Sequence, residues 1–230
     1  MPRISESKGR GDENSGYVRL FGNVDVGLLI SRVQATVIRA GNELEKILEE
    51  KTSHSLKSTL DEALSNQIPL TPSQKVIVFR PSMPAKSGSP GVTGDILILD
   101  NSLKSVLVIE VKDGDTFDTK KASGELESMK KISGYVASIT GYASSYYFCS
   151  FNQEDKEAIV TGAKGRFGIE NAMTGRELCE LLEIDYDQIR EERNMLQSEN
   201  LEYFLSELLQ NTEIREIIEQ MLQYEEEEIE

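Results

Sequence analysis

Two carboxylates and one lysine are spaced as phosphodiester chemistry requires. In GDILILDNSLKSVLVIEVK, Asp95 opens one apolar run, and Glu110 and Lys112 lie two apart near the end of the next. Side chains alternate along a strand, so Glu110 and Lys112 share a face while Val111 points away. The turn Asp100-Asn101-Ser102 is short enough to make the two runs an antiparallel hairpin. Partners whose numbers sum to about 205 then place Asp95 beside Glu110. Mg²⁺ prefers such a site, with one or two carboxylates completed by water and phosphate oxygens. The ammonium can orient or deprotonate an attacking water and stabilise charge building on the phosphate. A Glu-x-Lys pair without a task, inside so apolar a strand, carries a desolvation cost. The plainer alternative is a strand that reaches the surface there and ends in a salt bridge.

The elements that must position these residues can be read from periodicity. Residues 24–50 form a long amphipathic helix with Leu29, Val33, Val37, Leu44 and Leu48 on its apolar side, and Gly41 is a candidate kink. Residues 55–65 read as a shorter helix. Strands are expected at 75–80, 95–99, 105–112, 145–151 and 157–161, with a Pro/Gly-rich loop over 81–94. A crossover helix over 118–139, capped by Asp118 or Thr119, buries Leu126, Met129, Ile132, Val136 and Ile139. From Thr174 onward the chain reads as helical. The fold class is therefore α/β, a central mixed β-sheet flanked by helices, with an acidic helical C-terminal region. The expected division is a flexible N-terminal arm over 1–20, a core over 21–172 and a helical region over 173–230 for packing or dimerisation.

The stretch TGDILILD…SVLVIEVKDGDTFDTKKASGE resembles the PD-(D/E)XK nuclease signature found in type II restriction endonucleases. The resemblance implies a restriction-endonuclease-like fold and Mg²⁺-dependent cleavage of double-stranded DNA, with Mn²⁺ able to substitute. It assigns the metal-binding aspartate to Asp95, the second carboxylate to Glu110 and the motif lysine to Lys112. Gly94 stands where the name-giving proline would be. The first helix adds Glu43, which looks like the auxiliary metal ligand of many such sites; the alternative is an exposed helix glutamate beside Glu45.

The net charge of −15 argues at first against a nucleic-acid partner, but its distribution does not. Residues 1–150 carry 18 Lys/Arg and 18 Asp/Glu, whereas residues 151–230 carry 7 and 22. DNA is thus expected on the first part of the chain. Candidate contacts are Lys120 and Lys121 at the start of the crossover helix, Arg80 and Lys86 in and beside the loop, and Arg10, Arg19 and Arg39 near the N-terminus. Lys120 and Lys121 are equally readable as solvated lysines paired with nearby acids. Cys149 and Cys179 are too far apart for a disulfide framework, so a reducing cytoplasm is the default location. His54 lies in a polar run and reads as a surface residue. No apolar stretch is long enough to span a membrane. The hydrophobic face of the last helices suits a homodimer, as cutting both strands of a palindrome would favour. The expected function is a type II restriction endonuclease. The alternatives are another nuclease of the same superfamily, in repair or recombination, and a non-catalytic acidic interaction protein.

Overall fold

The computed structural model describes residues 1–11, 13–52, 56–57, 60–65, 75–83, 91–115 and 119–227. It divides into two compact units: Leu44–Tyr186, and Met1–Glu43 together with Asp187–Glu230. That division differs from the expected one, since the first 43 residues group with the last helices.

The larger unit is built on a six-stranded mixed sheet. The long helix Val24–Lys51 (α2), which follows a short one at Gly16–Phe21 (α1), enters this unit at its C-terminal end. The strands are β1 (Leu56–Lys57), β2 (Lys75–Phe79), β3 (Ile96–Asp100), β4 (Ser105–Lys112), β5 (Ala143–Ser150) and β6 (Ala172–Thr174), in that spatial order. A helix α3 (Leu60–Leu64) precedes β2, and the crossover helix α4 (Thr119–Thr140) joins β4 to β5. Because α4 returns the chain over the sheet, β5 runs parallel to β4, with Glu110 opposite Phe148 and Lys112 opposite Ser150.

The hairpin register is the expected one: Ile96 pairs with Ile109, and Asp100 with Ser105. Asp100 fixes the turn by accepting from the amides of Ser102 and Leu103, each at 2.9 Å. The face toward α4 carries Val76, Val78, Leu97, Leu99, Val106, Val108 and Phe148, packed with Ala122, Met129, Ile132 and Val136 of α4. Strand alternation places Glu110 and Lys112 on this same face, where the apolar column Val106–Val108 ends.

Three expectations are corrected. Residues 157–161 are not a strand but part of a helix, α5 (Lys156–Gly162), because Asp155 caps it by accepting from the Glu157 amide at 2.9 Å. The segment expected as one helix over 55–65 holds β1 and then α3. Val37 and Ile139, assigned to buried stripes, are exposed, while Ala40 and Ala122, outside the expected stripes, are buried. The helix over 24–51 runs unbroken through Gly41.

The chain continues through β6 into α6 (Gly175–Leu182), whose capping box is formed by Thr174 and Glu177. In the smaller unit, α1 and most of α2 join α7 (Tyr186–Asn194), α8 (Gln197–Gln210) and α9 (Thr212–Glu227). The first residues, expected as a flexible arm, lie against these helices. Ile4 is buried and its amide donates to Asn200 Oδ1 at 2.9 Å, and Arg3 meets Glu199 at 2.6 Å.

Candidate active site

β3 and β4 bring Asp95, Glu110 and Lys112 to one end of the hairpin. Asp95 immediately precedes β3, and its Oδ2 accepts from the Val111 amide at 2.7 Å. That bond anchors the carboxylate to β4 just past the last backbone pair of the hairpin. The Asp95 and Glu110 carboxyls are close enough that each perturbs the other's titration. Asp95 is also fixed from the other side, since the Arg80 amide donates to its carbonyl at 2.7 Å. Arg80 adopts a left-handed backbone, φ 52°, just past the end of β2. Strain in a non-glycine residue beside a charged cluster is typical of positions shaped for function.

The electrostatics follow from burial. Glu110 is only 7% exposed. Desolvation first, and the neighbouring Asp95 charge second, push its carboxyl up to about 7, against the pull of Lys112. Burial likewise raises Asp95, opposed by the Val111 amide and Lys112. For Lys112, burial alone would favour the neutral amine, but Glu110, Asp95 and Glu125 outweigh it and hold the ammonium charged. Lys112 Nζ is ion-paired with Glu110 and lies 3.0 Å from Glu125 Oε1. Two carboxyls sharing a low-dielectric corner with one ammonium form a site that favours added positive charge.

Among the described residues, no group of three or more His, Cys, Asp and Glu side chains is arranged to hold a metal ion. The pair Asp95–Glu110 nonetheless suits Mg²⁺, which takes one or two carboxylates and fills its other positions with water and phosphate oxygens. The ammonium seated on Glu110 already does electrostatically what a cation would do.

The helix glutamate expected at the site was Glu43, and the structure places it differently. Glu43 sits 3.6 Å from the N-terminal ammonium. The helix carboxylate that senses the pair is Glu45, raised by burial first and by the Asp95 charge second. Two residues on a helix differ by about 200°, so Glu43 and Glu45 point to opposite sides. The buried residues Leu44 and Leu48 set the phase, and Glu45 and Glu49 flank them. Glu49 is ion-paired with Arg80.

Of the expected DNA contacts, Lys120 and Lys121 are exposed in the first turn of α4. Arg80 spends its guanidinium on Glu49. Arg39 donates to Ser7 Oγ at 3.0 Å, Arg19 to the Asn14 carbonyl, and Arg10 is exposed beside Ser31. Lys86 and His54 lie outside the described residues. The position of the family proline, Gly94, packs under α4: an added Cβ would meet Ile132 Cδ1 at 3.1 Å. Residues missed in the sequence are Glu45 and Glu125. Glu125 was visible only as an acid near the lysines, although its spacing from the buried residues of α4 carried a signal. Both cysteines are buried and free.

No sequence-family model matches the chain. It is 39% identical over 223 residues to the type II restriction enzyme HhaII of Haemophilus parahaemolyticus, covering 94% of this chain and 97% of that protein.

Proposed function

The chain belongs to the family of type II restriction enzymes, and from that premise we propose that Asp95, Glu110 and Lys112 cleave DNA as a PD-(D/E)XK site. The chain is a type II restriction endonuclease, a site-specific deoxyribonuclease. Likeness along nearly its whole length to a restriction enzyme sets aside both the repair nuclease and the acidic interaction protein. The single observation that supports the residue assignment is the anchoring of the Asp95 carboxylate on the Val111 amide, between Glu110 and its ion-pair partner Lys112.

In this reading Asp95 and Glu110 hold a divalent cation, Mg²⁺ or in its place Mn²⁺. When bound, the ion supplies Lewis acidity and neutralises charge that builds on the scissile phosphate. Asp95, braced by the Val111 amide, sets the position of the pair. Glu110 would give its proton to solvent and share its charge with the cation, which would loosen its pair with Lys112, and the Lys112 ammonium would then orient the attacking water and steady the pentavalent phosphorus centre. Glu45, rather than Glu43, takes the part of the auxiliary helix carboxylate. Lys120 and Lys121 contact backbone phosphates near the site, and Arg10, Arg19 and Arg39 offer further phosphate contacts.

The enzyme works in the cytoplasm on double-stranded DNA as a homodimer, one copy for each strand. The reading is supported by an exposed apolar stripe at helical spacing, Leu201, Leu205 and Leu209 on α8. No described helix is long and apolar enough to cross a membrane. Incubating phage DNA with the protein and Mg²⁺, then sequencing the ends, tests the function: discrete fragments with a common end sequence are expected. For the site, Asp95→Ala is expected to bind the same duplex and leave it uncut; cleavage at the wild-type rate rejects the assignment.

A further inference from the structure

We propose that Glu125 of α4 is a positioning residue for Lys112, the carboxylate that holds the ammonium in place when Glu110 is given over to a cation. The inference rests on the reading of Lys112 as the motif lysine.

The placement of Glu125 is unusual for its residue type. The buried side of α4 is made by Ala122, Met129, Ile132 and Val136. Their spacing leaves two positions one turn from both Ala122 and Met129; Leu126 fills one and packs on the core, and Glu125 fills the other. A leucine there would extend the core; a glutamate breaks the local pattern, as residues at working sites do. The side chain reaches the end of β4, where Oε1 lies 3.0 Å from Lys112 Nζ. Its other oxygen, Oε2, is buried with no hydrogen-bond partner among the described residues. A carboxylate held this way has an unfavourable position unless a charge beside it compensates.

Lys112 explains why that compensation is arranged twice. Its ammonium rests between two carboxylates, Glu110 on its own strand and Glu125 on the helix. A cation on Glu110 would compete with Lys112 for the charge of that carboxylate and weaken their ion pair. When Glu110 turns to the cation, a four-carbon side chain with a single anchor would be free to sample many rotamers. Glu125 supplies the second anchor, from a helix packed rigidly on the sheet, and keeps Nζ within reach of the attacking water. It touches neither substrate nor reacting atoms in this role, so its effect is on the rate of the cleavage step and not on DNA binding.

The test uses the full chain. Single-turnover cleavage is measured in Mg²⁺, and affinity for the same duplex in Ca²⁺. Glu125→Ala is expected to slow cleavage by ~10–100-fold, the scale of a misplaced reacting group, with affinity unchanged. Glu125→Gln, which keeps an acceptor for the ammonium and the shape of the side chain, recovers much of the rate. In a Lys112→Met background, Glu125→Ala produces no further slowing. Independently of cleavage, Lys112 in the metal-free Glu125→Ala protein is acylated faster by acetic anhydride, read by mass spectrometry. Unchanged cleavage in Glu125→Ala, or a loss of affinity equal to the loss of rate, overturns the proposal. An additive loss in the Lys112→Met background overturns it too. If Lys112→Met itself cleaves normally, the assignment of the motif lysine fails first, and the two failures are thereby distinguished.

Discussion

Replacing Glu110 by glutamine should abolish cleavage and yet stabilise the metal-free protein, increasingly so as the pH rises. The carboxyl is lifted from its ordinary 4.5 to about 7, by burial first and Asp95 second. The sign follows from linkage. An acid whose folded-state pKa is raised leaves the fold at its most stable below 4.5, where both states are protonated. As pH rises the unfolded chain ionises first, and stability is lost up to about 7. At 1.36 kcal/mol per pH unit, the full loss is about 3 kcal/mol. Glutamine keeps the shape and removes the titration, so the wild-type penalty relative to Glu110→Gln should be about 1 kcal/mol at pH 5.5 and about 3 kcal/mol at pH 8.5. The growth of about 2 kcal/mol matters most, because pH-independent effects of the amide cancel in it. For a chain of this length it corresponds to about 4–8 °C in the difference of melting temperatures. Circular-dichroism melts of both proteins in EDTA, from pH 5.5 to 8.5, measure it directly. Added Mg²⁺ should raise the wild-type melting temperature at pH 8.5 and leave Glu110→Gln nearly unmoved. A difference that stays flat across the range, or shrinks toward alkaline pH, refutes the reasoning that burial and Asp95 set this group.

Three further outcomes follow from other parts of the structure. Asp95→Asn keeps an oxygen for the Val111 amide, so it should fold normally while plasmid cleavage falls by ~10²–10³-fold; Asp95→Ala should in addition lose about 1 kcal/mol of stability in urea titration. Arg80→Gly should be close to neutral in the same titration, because relief of the left-handed backbone, about 1–2 kcal/mol, offsets a partly exposed pair with Glu49. Arg80→Val, a β-branched residue at φ 52°, should be clearly destabilising. Leu205→Glu should leave the circular-dichroism spectrum unchanged and shift the sedimentation coefficient from dimer to monomer; an unchanged coefficient moves the interface away from α8.

The hairpin was legible because its information is local. A tight turn fixes the register, and a period of two then fixes which side chains share a face, so Asp95, Glu110 and Lys112 could be related from residue numbers. Helix phase is a weaker signal. Glu43 and Glu45 are equivalent until burial of Leu44 and Leu48 settles which side of α2 faces inward. Residues 157–161 look like a strand because they contain a β-branched run, yet the Asp155 cap and burial of Ile159 and Ala163 one turn apart make a helix. β6, three residues long, exists through its pairing with β5 and leaves little trace in its own sequence. Glu125 was the readable omission: counting α4 by three and four from Ala122 lands on Glu125 and Leu126, a charged residue beside an apolar one on the inward side.

The pair of strands that carries Asp95, Glu110 and Lys112 occupies the middle of the sheet, with β2 on one flank and β5 on the other. No sheet edge borders it, and Ile109 of β4 is paired with Ile96 on one side and Tyr147 on the other. Fraying that begins at the short β1 or β6 must pass through a neighbouring strand before it disturbs the chemistry. With the proposed site there, loss of nuclease function on heating should follow cooperative collapse of the sheet, and the geometry of Asp95, Glu110 and Lys112 should be among the last features of this unit to melt.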